Sequence, residues 1–177
     1  MGGGIVLAYS IARALGGEEF IEAGAPLQPL FVAIGLIFLG NILGRAVIAL
    51  DLQKKALFVY FLGMVFNVAL NLLLIPKYTY MGAAWATTFT ELLITLFLFT
   101  LIWQKTKALF EVQGTLKVVL SAAVMTGGLF WLAHPLTTPL SPLGLLGVMI
   151  LGGVIYFGVL YAARGITKEE ILGVFRR

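Results

Sequence analysis

The chain consists of long apolar runs separated by short polar segments. Because a hydrocarbon core of about 30 Å requires about 20 helical residues, a run of that length predicts a membrane-spanning helix. Five runs are long enough: 27–50, 56–75, 82–103, 116–134 and 143–163. A further apolar stretch at about 5–15 is too short for a full span and predicts part of a sixth helix. The pattern predicts an all-α, polytopic transmembrane bundle with five full spans and one partial N-terminal span.

Composition agrees with a membrane protein. The 177 residues are 60% hydrophobic and 11% charged, which is too apolar for a soluble domain of this size. The net charge of +4 would favour nucleic acid as a partner. The basic residues lie beside the spans, however, where they set topology, so the predicted partner is the lipid bilayer and no nucleic acid. The chain has no cysteine, and a lone His134 does not make a metal site.

The basic residues are concentrated in alternate polar segments. Two lie in 51–55, three in 104–117 and four in 164–177, whereas the segment 76–81 has only Lys77 and the segment 16–26 has none. Cytoplasmic loops carry the excess of Lys and Arg. The second, fourth and last segments are therefore predicted to face the cytoplasm, which gives a cytoplasmic C-terminus.

The chain divides into a bundle, residues 1–163, and a hydrophilic tail, residues 164–177. Thr167 and Glu170 have the spacing of a capping box, and the apolar residues after them share one helical face. This predicts a short amphipathic helix on the cytoplasmic membrane surface. A frayed tail is the alternative.

Polar side chains interrupt three consecutive spans at helical spacing. Asn41 and Arg45 are four residues apart and share a face, as do Asn67 and Asn71 in the next span. Glu91 lies near the middle of the span after that. Such groups are costly in hydrocarbon and need a partner or a wet cavity, so the three stripes are predicted to meet at one interior surface.

Each of these residues also has a structural interpretation. Arg45 lies about 8 Å from the inner end of its helix, close enough to snorkel to the headgroups. Asn67 and Asn71 are the kind of residue that forms hydrogen bonds between helices. Glu91 must be protonated, hydrated or paired with a cation, and an ion pair with Arg45 stays open. No catalytic constellation, cofactor motif or metal-ligand spacing is present, so an enzyme is not predicted.

Residues 67–91 resemble a known family. The stretch NVALNLLLIPKYTYMGAAWATTFTE is similar to a hallmark of the polysaccharide (lipid-linked oligosaccharide) flippases of the MATE-like superfamily, also called MOP. The matching positions are Asn67, Asn71, Ile75, Pro76, Tyr78, Gly82, Ala83, Ala84, Ala86, Thr87 and Glu91. The turn 17–20 resembles the outer G-x-x-F turn of the family, and 167–170 resembles its tail. The turn 50–55 resembles its cytoplasmic G-x-x-K turn, with Asp51 where glycine is common.

The resemblance implies a two-lobed transporter with a cationic cavity. It would move polyprenyl-pyrophosphate-linked oligosaccharide across the inner (plasma) membrane for cell-surface polysaccharide synthesis. Because such families have about twelve to fourteen spans, the chain is expected to be the C-terminal lobe of a longer protein, or to assemble with a partner chain that supplies the N-terminal lobe. Arg45, with Asn41 beside it, is the candidate for attracting pyrophosphate, and Glu91 for a gate or counter-ion; Asn67 and Asn71 complete the candidate substrate site.

Two other functions stay open from the sequence. One is a multidrug or organic-cation efflux transporter of the same superfamily, which would couple transport to protons or sodium through a carboxylate such as Glu91. The other is a non-transporting membrane subunit or a gene remnant. The lysine-rich turns and the sequence IPKY favour the flippase, since only one acid lies within a span.

Overall fold

Every regular element that the structure describes is a helix. The computed structural model describes residues 1–107, 112–133 and 142–163. Its elements are α1 (Gly2–Gly16), a 3₁₀ segment (Glu18–Ala23), α2 (Gly24–Ala49), α3 (Gln53–Thr106), α4 (Val112–Ala133) and α5 (Pro142–Ala162). The predicted all-α class is therefore confirmed for these ranges. The predicted tail helix, in 164–177, and His134 lie outside them.

Three stretches of the described chain have the length and apolar composition to cross a membrane. They are Glu18–Ala49, Gln53–Thr106 and Leu143–Ala162. The chain thus has the character of a membrane protein, as its composition predicts. The first helix, Gly2–Gly16, is apolar but shorter than a full span.

The helices fall into two compact units. Of the described residues, one unit contains 3–107 and the other contains 112–133 and 142–163. In the first unit α2 packs along α3, and in the second α4 packs against α5. All five candidate site residues belong to the first unit.

The long helix α3 is a hairpin that reverses at Thr79. This residue has φ of 50° and ψ of −130°, which is incompatible with a continuous α-helix. Asn67 and Thr90 are 23 positions apart, yet the Asn67 Nδ2 atom lies 3.1 Å from the Thr90 Oγ1 atom. A straight helix would separate them by about 35 Å. We call residues 53–78 the first arm and residues 80–106 the second arm.

Contacts between the arms show that they are antiparallel. A Cβ atom built on Gly82 would meet the backbone of Leu74, and one built on Gly63 would meet the side chain of Ile94. Residues that contact each other across the two arms are therefore about equally far from Thr79, one before it and one after it. The sequence predicts a break at 76–81, and the reversal falls inside it. Pro76 is still within the helical first arm, and Thr79 makes the turn.

Two threonine hydroxyl groups fix α2 against the second arm. Thr88 Oγ1 lies 2.9 Å from the carbonyl oxygens of both Pro29 and Ala84, so its proton can be donated to α2 or to its own helix. Thr95 Oγ1 donates to the Leu36 carbonyl oxygen at 3.4 Å. In both contacts with α2 the second-arm residue is 59 positions further along the chain. The two helices are therefore parallel, with one constant register.

A tight turn joins α2 to the first arm. Asp51 has a left-handed φ of 56°, and the amide of Leu52 donates to the carbonyl oxygen of Val47 at 2.9 Å. Aspartate tolerates the left-handed region better than most residues other than glycine. Asp51 can therefore adopt the left-handed conformation that this turn requires.

The buried core of the first unit lies next to this turn. Its side chains come from α2, the turn and both arms of α3, so three helices meet there. The buried members are Leu43, Val47, Leu52, Ala56, Val59 and Leu98. This end of the unit carries Lys54 and Lys55, and we refer to it as the lysine end.

In the second unit, α4 and α5 are antiparallel. A Cβ atom on Gly152 would lie 3.0 Å from Leu129 Cδ1, and one on Gly128 would lie 3.9 Å from Ile155 Cδ1. Small residues at these positions let the helices approach closely.

Replacement of Gly82 is expected to open the hairpin. A Cβ atom there would lie 2.5 Å from the Leu74 carbonyl oxygen, and backbone cannot move aside as a flexible side chain can. Gly82→Val should therefore destabilise the protein by about 1–3 kcal/mol, the usual cost of overpacking. Thermal unfolding in detergent measures this effect. Gly127→Val is the matched control, because nothing lies within 4 Å of its Cβ position. Equal melting temperatures for the two variants would contradict the close approach.

Candidate functional site

The two asparagines of the first arm form a hydrogen-bonded cluster with the second arm. Asn71 Nδ2 donates to the backbone oxygen and to the Oδ1 atom of Asn67, both at 2.9 Å. Asn67 Nδ2 donates to Thr90 Oγ1 at 3.1 Å, and Thr90 Oγ1 donates to the Ala86 carbonyl oxygen at 2.8 Å. We call Asn67, Asn71 and Thr90 the amide cluster.

The sequence explains why the amide cluster forms. Asn67 and Asn71 are one turn apart, and so are Ala86 and Thr90 on the facing arm. The small side chain of Ala86 lets the arms approach until an amide on one reaches a hydroxyl on the other. Within the described chain, no buried side-chain nitrogen or oxygen atom lacks a hydrogen-bond partner. The cluster therefore links the two arms.

Glu91 follows the amide cluster directly in sequence and lies at the same level of the hairpin. It falls between Thr88 and Thr95, which both bond to α2, so it shares their side of the second arm. Those threonines are buried, whereas Glu91 is only half-buried. Within the described chain, Glu91 takes part in no hydrogen bond or ion pair. Its carboxylate is a polar group at mid-helix that the unit itself does not neutralise.

Asn41 and Arg45 lie elsewhere, in a groove between α2 and the first arm. This lysine-end groove has a volume of about 830 Å³. Its polar lining is Asn41, Arg45, Gln53 and Tyr60. Its other lining residues are Phe38, Gly40, Ile42, Gly44, Val47, Ile48, Ala56 and Leu57. The turn that closes this end exposes Lys54 and Lys55.

Glycine shapes the groove on the α2 side. A Cβ atom on Gly40 would approach Thr95 at 4.0 Å, so this glycine faces the second arm. Nothing lies within 4 Å of the corresponding position on Gly44, which opens into the groove. Gly40 therefore lies close to a neighbouring helix, and Gly44 does not.

The sequence predicts that the polar residues meet at one surface, but the structure divides them between two sites at different levels along the helix axis. The threonine bonds place each α2 residue level with the second-arm residue 59 positions further along the chain. Arg45 therefore lies level with residue 104, which is about 20 Å from Glu91 along the helix axis. The structure brings Asn41 together with Arg45, and Asn67 together with Asn71. It does not pair Arg45 with Glu91: in the described ranges the ion pair observed joins Arg13 to Glu18.

Sequence reasoning missed three residues of these sites: Gln53, Tyr60 and Thr90. A signal for the first two existed, because Gln53, Tyr60 and Asn67 are spaced by seven residues and share one face of a helix. Thr90 had no such signal. Its role depends on which way the hairpin closes, and this is not encoded in the spacing of one helix.

Neither site has the donor set of a metal centre. In the part of the chain that the structure describes, no three His, Cys, Asp or Glu side chains are grouped closely enough to hold a metal ion. The amide cluster and the lysine-end groove instead offer amide, hydroxyl and guanidinium donors, which suit an anionic or sugar-like ligand.

Comparisons with protein-family models, with curated proteins and with solved structures find no match to this chain.

The bond between Asn67 and Thr90 can be measured by a double-mutant cycle. Asn67→Ala and Thr90→Ala should show a coupling energy of about 0.6 kcal/mol, and no more than about 1.7 kcal/mol, as for side-chain hydrogen bonds between membrane helices. Unfolding of the purified protein in mixed micelles gives the four stabilities. Thr100 is the matched control, because its hydroxyl bonds within its own helix to Leu96. A cycle of Asn67 with Thr100 should give zero coupling, and a similar value in both cycles would refute the contact.

Proposed function

We propose that the chain is the C-terminal lobe of a transporter that flips polyprenyl-pyrophosphate-linked oligosaccharide across the inner membrane for cell-surface polysaccharide synthesis. The observation that carries the proposal is the lysine-end groove. It places a guanidinium, two amides and a phenol hydroxyl on otherwise apolar walls. This combination suits an amphiphile with a phosphate headgroup and a hydrocarbon tail.

Arg45 and Asn41 are proposed to attract the pyrophosphate. A guanidinium presents five donors in a planar fork that matches phosphate oxygens. A pyrophosphate with its sugars cannot cross hydrocarbon unaided, because each unpaired polar group costs several kcal/mol there. A protein path that offers donors at more than one depth lowers this barrier, while the polyprenyl tail stays in lipid.

The amide cluster and Glu91 are proposed to act at the second depth. Asn67 and Asn71 offer amide groups near the middle of the hairpin, where sugar hydroxyl groups would otherwise lose their hydrogen bonds. Glu91 would serve as a gate or counter-ion there. The resemblance of residues 67–91 to the flippase hallmark supports this assignment, because the same residues build the hairpin and its polar centre.

The proposed arrangement in the membrane has five full spans and a cytoplasmic C-terminus. The two arms of α3 supply two of the spans, since each arm exceeds the roughly 20 residues that a bilayer requires. α2, α4 and α5 supply the others. A second lobe, on the same chain or on a partner, would complete the substrate cavity.

Efflux of organic cations is the second candidate function. Glu91 supports it, because a half-buried carboxylate without a partner in the described chain could bind a proton, sodium or a cationic substrate. The two functions can be distinguished by measuring which substrate, the lipid-linked oligosaccharide or an organic cation, needs Glu91 for its transport.

The test is surface glycan display by cells that carry variants of the full-length protein. Arg45→Ala and Glu91→Gln should each reduce display about tenfold or more, since a hydrogen bond to a charged group is worth about 1.5–3 kcal/mol. Arg13→Ala is the matched control: its side chain pairs with Glu18 away from both sites, so display should be unchanged.

Unchanged display in both site variants, at normal membrane levels of protein, would reject the flippase. Loss of resistance to organic cations in Glu91→Gln, with normal display, would establish the efflux function instead.

A further inference from the structure

Glu91 belongs to a row of side chains on the second arm that are otherwise buried. The members share one helical face, and four of them are at most 5% exposed: Ala84, Thr88, Thr95 and Leu98. Thr88 and Thr95 reach carbonyl oxygen atoms of α2. Ile94, which follows Glu91 by three positions, lies against Gly63 of the first arm. Glu91 therefore lies in the cleft between α2 and the first arm, and it is only half-buried there.

The carboxylate of Glu91 is far from both ends of its helix. It is about 16 Å along the axis from the start of the second arm at Tyr80 and about 22 Å from its end at Thr106. Lysine and arginine have long side chains that can reach the headgroups from within a span, but glutamate is too short to do so. In a bilayer the carboxylate therefore needs a partner at its own depth.

The helices of the chain supply no cation at this depth. The registers of the two helix contacts place Val32 of α2 and Phe66 of the first arm level with the carboxylate, and both are apolar. Arg45 is about 20 Å away along the axis. Residues 118–133 of α4 and residues 142–162 of α5 contain no lysine, arginine or histidine. A counter-charge from these helices is therefore ruled out.

The neighbouring donors of the first unit are already in use. The hydroxyl groups of Thr88, Thr90 and Thr95 donate to helix carbonyl oxygen atoms. Arg13 is paired with Glu18. Lipid tails offer neither charge nor hydrogen-bond donors. A basic side chain on another membrane helix meets the requirement, because charged groups within membranes pair with one another.

We propose that Glu91 forms an ion pair with a lysine or arginine on a membrane helix of the second lobe, and that this helix packs over the cleft between α2 and the first arm. The ion pair fixes the depth at which the two lobes meet, as one buried polar residue fixes the register of packed helices. This interface rests on the proposed function, because it requires a second lobe. It adds the surface on which that lobe packs and the charge that it carries there.

Photo-crosslinking in the full-length protein locates the partner helix. Thr87 is one turn from Glu91 on the same face, and its hydroxyl bonds within its own helix to Ala83. Benzoylphenylalanine at position 87, illuminated in native membranes, should crosslink to a second-lobe peptide that contains a lysine or arginine, which mass spectrometry identifies. Thr100 is the matched control, because its hydroxyl also bonds within its own helix, to Leu96. It lies about 14 Å further along the axis, so a probe there should not crosslink to that peptide.

Charge exchange then tests the ion pair. Glu91→Lys would place two cations together, and it should lower the yield of the position-87 crosslink at least about tenfold, since a buried charge without its partner is strongly destabilising. Replacement of the basic residue on the crosslinked helix by glutamate, in the same protein, should restore the yield. Recovery in the double variant also shows that both lobes fold.

The outcomes separate the interface from the function. No crosslink to the second lobe, or no recovery on charge exchange, would overturn the interface. A crosslink yield that follows sodium concentration or pH instead of the exchange would overturn it too, and would assign Glu91 to a bound ion or proton. If the interface fails while glycan display still depends on Arg45, the flippase stands. If charge exchange restores the crosslink while Arg45→Ala and Glu91→Gln leave display unchanged, the interface stands and the flippase is rejected.

Discussion

The asparagine and threonine side chains of the first unit bond within the protein, and the second arm of α3 provides their partners on two sides. Thr88 and Thr95 bond to carbonyl groups of α2, and Thr90 accepts a bond from Asn67 on the first arm. Apolar surfaces slide against one another with little preference in lipid, since the tails are as apolar as the side chains. Directional bonds therefore set the register of the three helices.

Close approach of the three helices depends on small residues of the second arm. Gly82, Ala84 and Ala86 are all buried on the second arm. They bring backbones near enough for short hydroxyl and amide groups to reach a neighbour. The reversal at Thr79 adds a second constraint, because it joins the arms with almost no loop and so allows only one pairing of their residues. Residues 67–91 thus form a structural unit, the closed end of a hairpin.

The register places polar groups of different helices at different levels along the helix axis. Arg45 is held at the lysine end, and Glu91 is held about 20 Å away at the level of the amide cluster. A guanidinium and a carboxylate that are about 20 Å apart along the helix axis cannot form an ion pair. Within the described chain, neither residue has an ion-pair partner.

The sequence alone determined the helical class, the position of α2 and the break near residue 79, because runs of apolar residues have a length that only a helix can use in a bilayer. It also identified Asn67 and Asn71 as members of one face. The tertiary structure decided which faces meet: it paired Asn67 with Thr90, kept Arg45 apart from Glu91, and joined Gln53 and Tyr60 to the Arg45 groove. Helices that are apolar all round give no periodic signal of their neighbours, so these choices depend on packing and on hydrogen bonds between residues distant in sequence.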